Sequence, residues 1–156
     1  MGELFELFLK EIPGVYGDYV KELDSFLTDK GSKRTVRLSK SGYLTSYTVP
    51  GKDRMLLNYV FRKSGVRLRI YAQNVAEYDE ILNHFPPEMK KDIIKAGDCK
   101  KLNGLKCTPA CPGGYKFYMD GVEYRKCRSM AFFHSLKEEN LDSILKIIEK
   151  ETEYDQ

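Results

Sequence analysis

The stretch KRTVRLSKSGYLTSYTVPGKDRMLLNYVFRKSGVRLRIYA, residues 33–72, decides the fold. Lys33 to Leu38, Gly42 to Thr48, Met55 to Arg62 and Val66 to Ala72 each carry the period-two pattern of a half-buried strand. Lys40-Ser41-Gly42, Pro50-Gly51-Lys52-Asp53 and Lys63-Ser64-Gly65 supply the turns. Connections this short predict antiparallel neighbours, because a parallel pair needs a crossover of about a dozen residues or more. In the fourth strand Val66, Leu68 and Ile70 point one way while Arg67, Arg69 and Tyr71 point the other.

Helical spacing surrounds this region. Leu4, Phe5, Phe8, Leu9 and Ile12 form one apolar stripe before Pro13-Gly14, and Tyr16, Tyr19, Val20, Leu23, Phe26 and Leu27 form a second. Asn74 is placed as an N-cap for a helix through Val75, Tyr78, Ile81, Leu82 and Phe85. Pro86-Pro87 then opens a short helix carrying Met89, Ile93 and Ile94. Ser135 and Glu138 have capping-box spacing ahead of Leu141, Ile144, Leu145 and Ile148. The expected architecture is one α+β domain over residues 1–152, with a mainly antiparallel sheet. Its parts are helices within 3–28, strands within 33–72, helices within 75–96, a cysteine-rich loop and hairpin over 99–134, and a last helix over 136–151.

Charge is unevenly spread. The chain of 156 residues has a formal net charge of +3, yet residues 30–69 hold eleven basic side chains against the single acid Asp53. The rest of the chain therefore carries about −7. Such a block reads either as a contact surface for an anion or nucleic acid, or as a solvated strand face offset by acidic helices. On the first reading Arg67, Arg69 and Tyr71 make the contacts, with Arg37, Tyr43, Tyr47, Arg54 and Arg62 nearby. Guanidinium groups bind phosphate in a bidentate way, and tyrosine rings stack on bases.

All four cysteines, Cys99, Cys107, Cys111 and Cys127, fall within 29 residues. The opening Met1-Gly2-Glu3-Leu4-Phe5-Glu6 is too acidic for a signal peptide, and no apolar run reaches the ~20 residues of a membrane span. A cytoplasmic location is expected, where structural disulfides are disfavoured. The thiols are then free or metal-bound. A structural Zn²⁺ held by the four thiolates is one reading, ordinary reduced cysteines a second and thiol redox chemistry a third. Asp120-Gly121 is a two-residue hairpin turn that pairs Met119 with Val122, Phe117 with Tyr124 and Tyr115 with Lys126. Gly114 then lies opposite Cys127, which brings Cys111 toward Cys127. Tyr115, Phe117, Met119, Val122 and Tyr124 are expected to bury one face against the last helix.

Cys99-Lys100-Lys101-Leu102, Lys106-Cys107-x-x-x-Cys111, Gly114-Tyr115, Asp120-Gly121 and Tyr124-x-Lys126-Cys127-Arg128 resemble a signature of small uncharacterised bacterial proteins. The resemblance extends back through Phe61-Arg62-Lys63 and Val36-Arg37-Leu38, covering residues 33–151. It implies no assigned chemistry and no catalytic residues. The order of elements alone is similar to YdhG/YjbR-type α+β domains.

No P-loop, G-x-G-x-x-G or Ser-His-Asp order is present, and His84 and His134 both sit beside apolar neighbours. The leading expectation is a non-enzymatic, metal-stabilised domain that binds an anionic small molecule or nucleic acid. The alternative is an enzyme acting on an anionic small molecule, or a thiol-based redox protein.

Overall fold

A computed structural model describes residues 2–63 and 65–154. Helices α1 (Glu3–Glu11) and α2 (Gly17–Asp29) lead into strands β1 (Arg34–Ser39), β2 (Gly42–Thr48), β3 (Met55–Arg62) and β4 (Gly65–Ile70). Helices α3 (Asp79–Asn83) and α4 (Pro87–Lys95) follow. Next come the hairpin β5 (Tyr115–Met119) and β6 (Val122–Lys126), a short β7 (Phe133–Ser135) and α5 (Glu138–Tyr154). Every ladder is antiparallel, in the order β1-β2-β3-β4-β7, with β5-β6 as a separate ribbon. This is the expected α+β domain with one added strand. β7 was hidden in the run after Cys127 because three residues are too few to show a period.

One face of the sheet is core. Tyr47, Leu57 and Ile70 share it through their register, as do Tyr59 with Leu68 and Phe61 with Val66. Phe8 of α1 lies over this face, its ring 5.3 Å from that of Tyr59, and Phe5, Leu23, Leu27, Ile144 and Ile148 join the same buried cluster. Each such side chain removed from water contributes roughly 1.5–3 kcal/mol, enough to fix the helices on this side.

Two buried carboxylates, Asp24 and Glu151, are paired in the core. Asp24 of α2 receives Arg34 at 2.9 Å on both carboxylate oxygens and the Tyr47 hydroxyl at 2.7 Å. Burial, with Tyr59 and Asp24 adding to it, pushes the Tyr47 phenol far above its ordinary value. Glu151 of α5 is also fully buried. It accepts hydrogen bonds from the backbone and side chain of Asn74, from the Tyr78 hydroxyl and from Arg54.

Three local expectations are corrected. Asn74 precedes a single 3-10 turn, Val75–Glu77, and its side chain bonds to Glu151 instead of capping a helix. Ser135 lies in β7 with no partner for its hydroxyl, so the capping box does not form and α5 starts at Glu138. The hairpin has the expected register, but β5 packs against the Val75–Glu77 turn and α3. Tyr115, Phe117 and Met119 are buried there while Val122 is half exposed, because β6 is the outer strand of the ribbon.

Candidate anion-binding cleft and cysteine segment

On the other face of the sheet, past the irregular start of β3 where Leu56 is buried, the strand residues are partly or fully exposed. Thr35 and Arg37 are exposed, and Leu44, Ser46, Asn58, Val60, Arg67, Arg69, Phe133 and Ser135 are partly so. Register explains this set: Arg69 pairs with Asn58 and with Phe133, Arg67 with Val60 and with Ser135, and Arg37 with Leu44. Arg67 and Arg69 thus stand opposite Val66, Leu68 and Ile70, as alternation requires.

At the β4-β7 end this face deepens into a cleft of about 790 Å³. Arg62, Lys63, Arg67, Arg69 and Lys95 supply its cations, Asp92 its carboxylate, and Phe133, Met130, Gly97 and Ser129 much of its wall. The guanidinium carbons of Arg62, Arg67 and Arg69 lie 5.3, 4.9 and 5.2 Å from the centre of the Phe133 ring. Arg67 Nη2 donates to the Phe133 carbonyl at 2.8 Å, and Arg69 Nε to the Ser129 carbonyl at 2.6 Å. A carbonyl fixes a guanidinium without cancelling its charge, so the remaining N–H groups stay available as oriented donors.

Asp92 is the one acid in the lining. Its Oδ2 lies 3.3 Å from Arg67 Nη2 and 3.0 Å from His134 Nδ1. Burial opposes its ionisation, but the His134 hydrogen bond and the Arg67 guanidinium hold the carboxyl below its usual range. His134 is fully buried on the core side of β7, and burial drives its imidazole downward. Its Nε2 has no partner, which fits a neutral ring donating from Nδ1 to Asp92. Among the described residues no ion pair involves Arg62, Lys63, Arg69 or Lys95.

The eight residues proposed from the sequence separate by place. Arg62, Arg67 and Arg69 meet in the cleft, and Arg37 stands on the same open face at the far edge strand. The other four lie outside the cleft. Tyr43 and Tyr47 belong to the core face, Tyr47 fully buried on Asp24 and Tyr43 packed against the core cluster. Arg54 is turned inward to Glu151 at 3.1 Å. Tyr71 lies beyond the cleft, its ring 5.6 Å from the Arg128 guanidinium, which also stands over Tyr115. Acids on the helices therefore pair with Arg34, Arg54 and Arg67, while no ion pair among the described residues involves Arg62, Lys63, Arg69 or Lys95. Lys63, Lys95 and Phe133 were missed. Lys63 is next to Arg62, but only the β4-β7 pairing brings Phe133 in, and only the packing of α4 brings in Lys95.

The cysteine segment forms the neighbouring wall. Cys127 N–H donates to the Gly97 carbonyl at 2.8 Å, and Cys127 Sγ lies 3.3 Å from Ser129 Oγ. Cys99 is buried, with its sulfur accepting from Gly114 N–H at 3.2 Å. Cys111 is half-buried, with its sulfur accepting from Gly113 N–H at 3.4 Å. Cys107 is exposed. Among the described residues no three His, Cys, Asp or Glu side chains converge closely enough to hold a metal ion. Gly114, the residue before the ladder pair Tyr115–Lys126, stands against Cys99 and the Lys126 carbonyl.

No protein-family model, curated protein or solved structure matches the chain. Among the described residues no helix is long and apolar enough to cross a membrane.

Proposed function

We propose that the protein is a non-enzymatic binding domain whose open sheet face takes a phosphate-bearing ligand, with the cleft as the anchoring site. One observation carries this reading: three guanidinium groups are held around the half-buried Phe133 ring with only Asp92 to offset them. Like charges packed together in a concave, partly desolvated surface raise the local potential and favour an anion. Arg62 and Arg69 supply forked donors for phosphate oxygens, Lys63 and Lys95 add charge, and the Phe133 edge offers apolar contact to a base or other ring. Arg67 serves mainly to hold the site, since Asp92 and the Phe133 carbonyl already engage it.

The test is binding at low and at physiological salt, measured with labelled single-stranded RNA and DNA and, separately, with nucleotides and inorganic phosphate. Arg62→Ala and Arg69→Ala are each expected to weaken binding at least about tenfold, the scale of one lost charge-assisted contact. A polymeric ligand gives a steep fall of affinity with salt, by a slope of about −0.7 per phosphate contacted for a single strand. Binding of nucleotide without oligonucleotide makes the ligand a small molecule. No binding of any of these probes at low salt, or undiminished binding by both folded variants, overturns the proposal.

A further inference from the structure

We propose that Asp92 is the specificity-determining residue of the cleft, selecting a phosphoryl group that carries a proton of its own: hydrogen phosphate or a singly ionised phosphomonoester, ahead of sulfate and phosphodiesters. The inference rests on the cleft being the anion site proposed above, and adds which anion it takes. Arg62, Lys63, Arg69 and Lys95 in the lining attract any anion without distinction. The one carboxylate among them works against that attraction, except toward a ligand that donates a hydrogen bond to it.

The geometry leaves one carboxylate oxygen for this role. Asp92 Oδ2 takes both protein contacts, His134 Nδ1 at 3.0 Å and Arg67 Nη2 at 3.3 Å. Among the described residues no hydrogen bond reaches Oδ1, and 20% of the side chain stays exposed in the wall of the cleft. His134 is fully buried, with the rings of Phe85 and Phe132 centred 6.2 and 6.4 Å from its own, so its ring is held in place by packing. It thereby fixes the direction in which the carboxylate points.

The same surroundings keep Asp92 ionised. Arg67 faces it from β4 and His134 from β7, with Arg62, Lys63, Arg69 and Lys95 around the cleft. Glu88, four residues earlier on α4, acts on His134 and is itself engaged by Lys137 at 2.8 Å. Burial opposes ionisation of Asp92, but the His134 hydrogen bond and the Arg67 guanidinium outweigh it. Burial likewise keeps His134 neutral near pH 7. Asp92 is then an acceptor only. A ligand oxygen without hydrogen meets a fixed negative charge there, whereas a P–OH forms a charge-assisted hydrogen bond. Arg62 and Arg69 are left for the unprotonated oxygens of the same group. A site built to receive a ligand hydroxyl rejects the analogue that lacks it.

Anions sort on this point. Inorganic phosphate keeps a proton in both of the forms present near neutral pH, and sulfate has none. A phosphomonoester loses its last proton with a pKa of about 6, so at higher pH it takes one up in order to fit. An internal phosphodiester has no proton to give. Within a nucleic acid only a terminal phosphate therefore qualifies.

The test is calorimetry on the full-length protein at low salt, with inorganic phosphate, sulfate, a nucleoside 5′-monophosphate, and one oligonucleotide with and without a 5′-terminal phosphate. Phosphate is expected to bind at least about tenfold more tightly than sulfate, the scale of one charge-assisted hydrogen bond. From pH 8 to pH 6.5 the monophosphate should tighten by up to about tenfold per unit, with proton uptake, while phosphate changes far less. Preference for the 5′-phosphorylated oligonucleotide over its 5′-hydroxyl form supports selection at the end of a polymer; binding of the monophosphate and of neither oligonucleotide supports it for a small molecule. Asp92→Asn, whose amide donates, should gain about tenfold in sulfate affinity and lose the pH dependence. Should that variant fail to fold, the wild-type comparisons decide alone. Phosphate and sulfate bound alike, a monophosphate indifferent to pH, or a 5′-hydroxyl oligonucleotide bound as tightly as the phosphorylated one would each overturn the selection and leave the anion cleft standing. Binding of none of these probes would overturn both.

Discussion

Arg54 and Glu151 lie 97 positions apart and meet at 3.1 Å, the carboxylate of Glu151 fully buried. The backbone and side-chain N–H groups of Asn74 and the Tyr78 hydroxyl donate to the same carboxylate, so α5, the entry to β3 and the chain after β4 are joined there. Removing a partner from such a group leaves buried charge or buried donors without compensation. Arg54→Ala and Glu151→Ala are each expected to lower stability by about 3–5 kcal/mol, read from urea denaturation. A change under about 1 kcal/mol in both would mean that water replaces the missing partner at no great cost.

The Asp92–His134 contact makes stability depend on pH. Burial lowers the folded His134 below its ordinary 6.5, so as pH falls through that value the unfolded chain takes up a proton that the folded chain refuses. The unfolded state then binds more protons, and stability drops. Asp92 adds a second loss of the same sign: its folded carboxyl titrates below 3.8, so its contribution, present above that value, fades in stronger acid. Denaturation midpoints between about pH 7 and pH 5 should fall for the wild type and stay nearly level for His134→Gln. Equal slopes in the two proteins would show that the buried ring is not the titrating group.

Phe117 is 1% exposed, with ring centres of Phe132 and Tyr124 at 5.5 and 5.8 Å, whereas Val122 on the outer strand is 50% exposed. Phe117→Ala is expected to destabilise by about 3–5 kcal/mol. Val122→Ala should change stability by less than about 0.5 kcal/mol, as surface substitutions do. Similar losses from the two would place the ribbon's outer strand in the core as well.

Gly114→Ala tests close backbone approach. The added methyl would meet the Lys126 carbonyl at 2.2 Å and the Cys99 side chain, so β6 or the Cys99 turn must move. A loss of about 1–3 kcal/mol is expected, measured by thermal or urea unfolding in the presence of chelator. Gly51→Ala, with open space around it but φ +74°, is the control for conformational strain alone and should cost about 1 kcal/mol.

The strands between residues 34 and 70 were legible because half-buried strands leave a period of two in the chain, and Asp120-Gly121 fixed the ribbon's register because its turn accepts positive φ at both residues. Arg62, Arg67 and Arg69 were legible for the same reason: alternation alone sends Arg67 and Arg69 to the face opposite Leu68. Arg54 could not be sorted this way, since its acid partner lies near the far end of the chain. Tyr47 could have been, because its register partner Leu57 marks the core face. The cysteine loop carries no period, so its course depends on contacts such as Gly114 with Cys99 that no spacing rule encodes.

β4 receives its outer partner late in synthesis: 66 positions separate Arg67 from Phe133, whose carbonyl it bonds. At ~5–20 residues per second, the nascent sheet waits on the order of several seconds with that edge unpaired. An unpaired edge of alternating apolar residues recruits strands from other chains, and charge on the edge is a common safeguard. Arg67 and Arg69 place two charges on that edge in the interval before β7 covers it. Neutral replacements at these positions should increase inclusion-body formation at high expression even where the finished protein is stable.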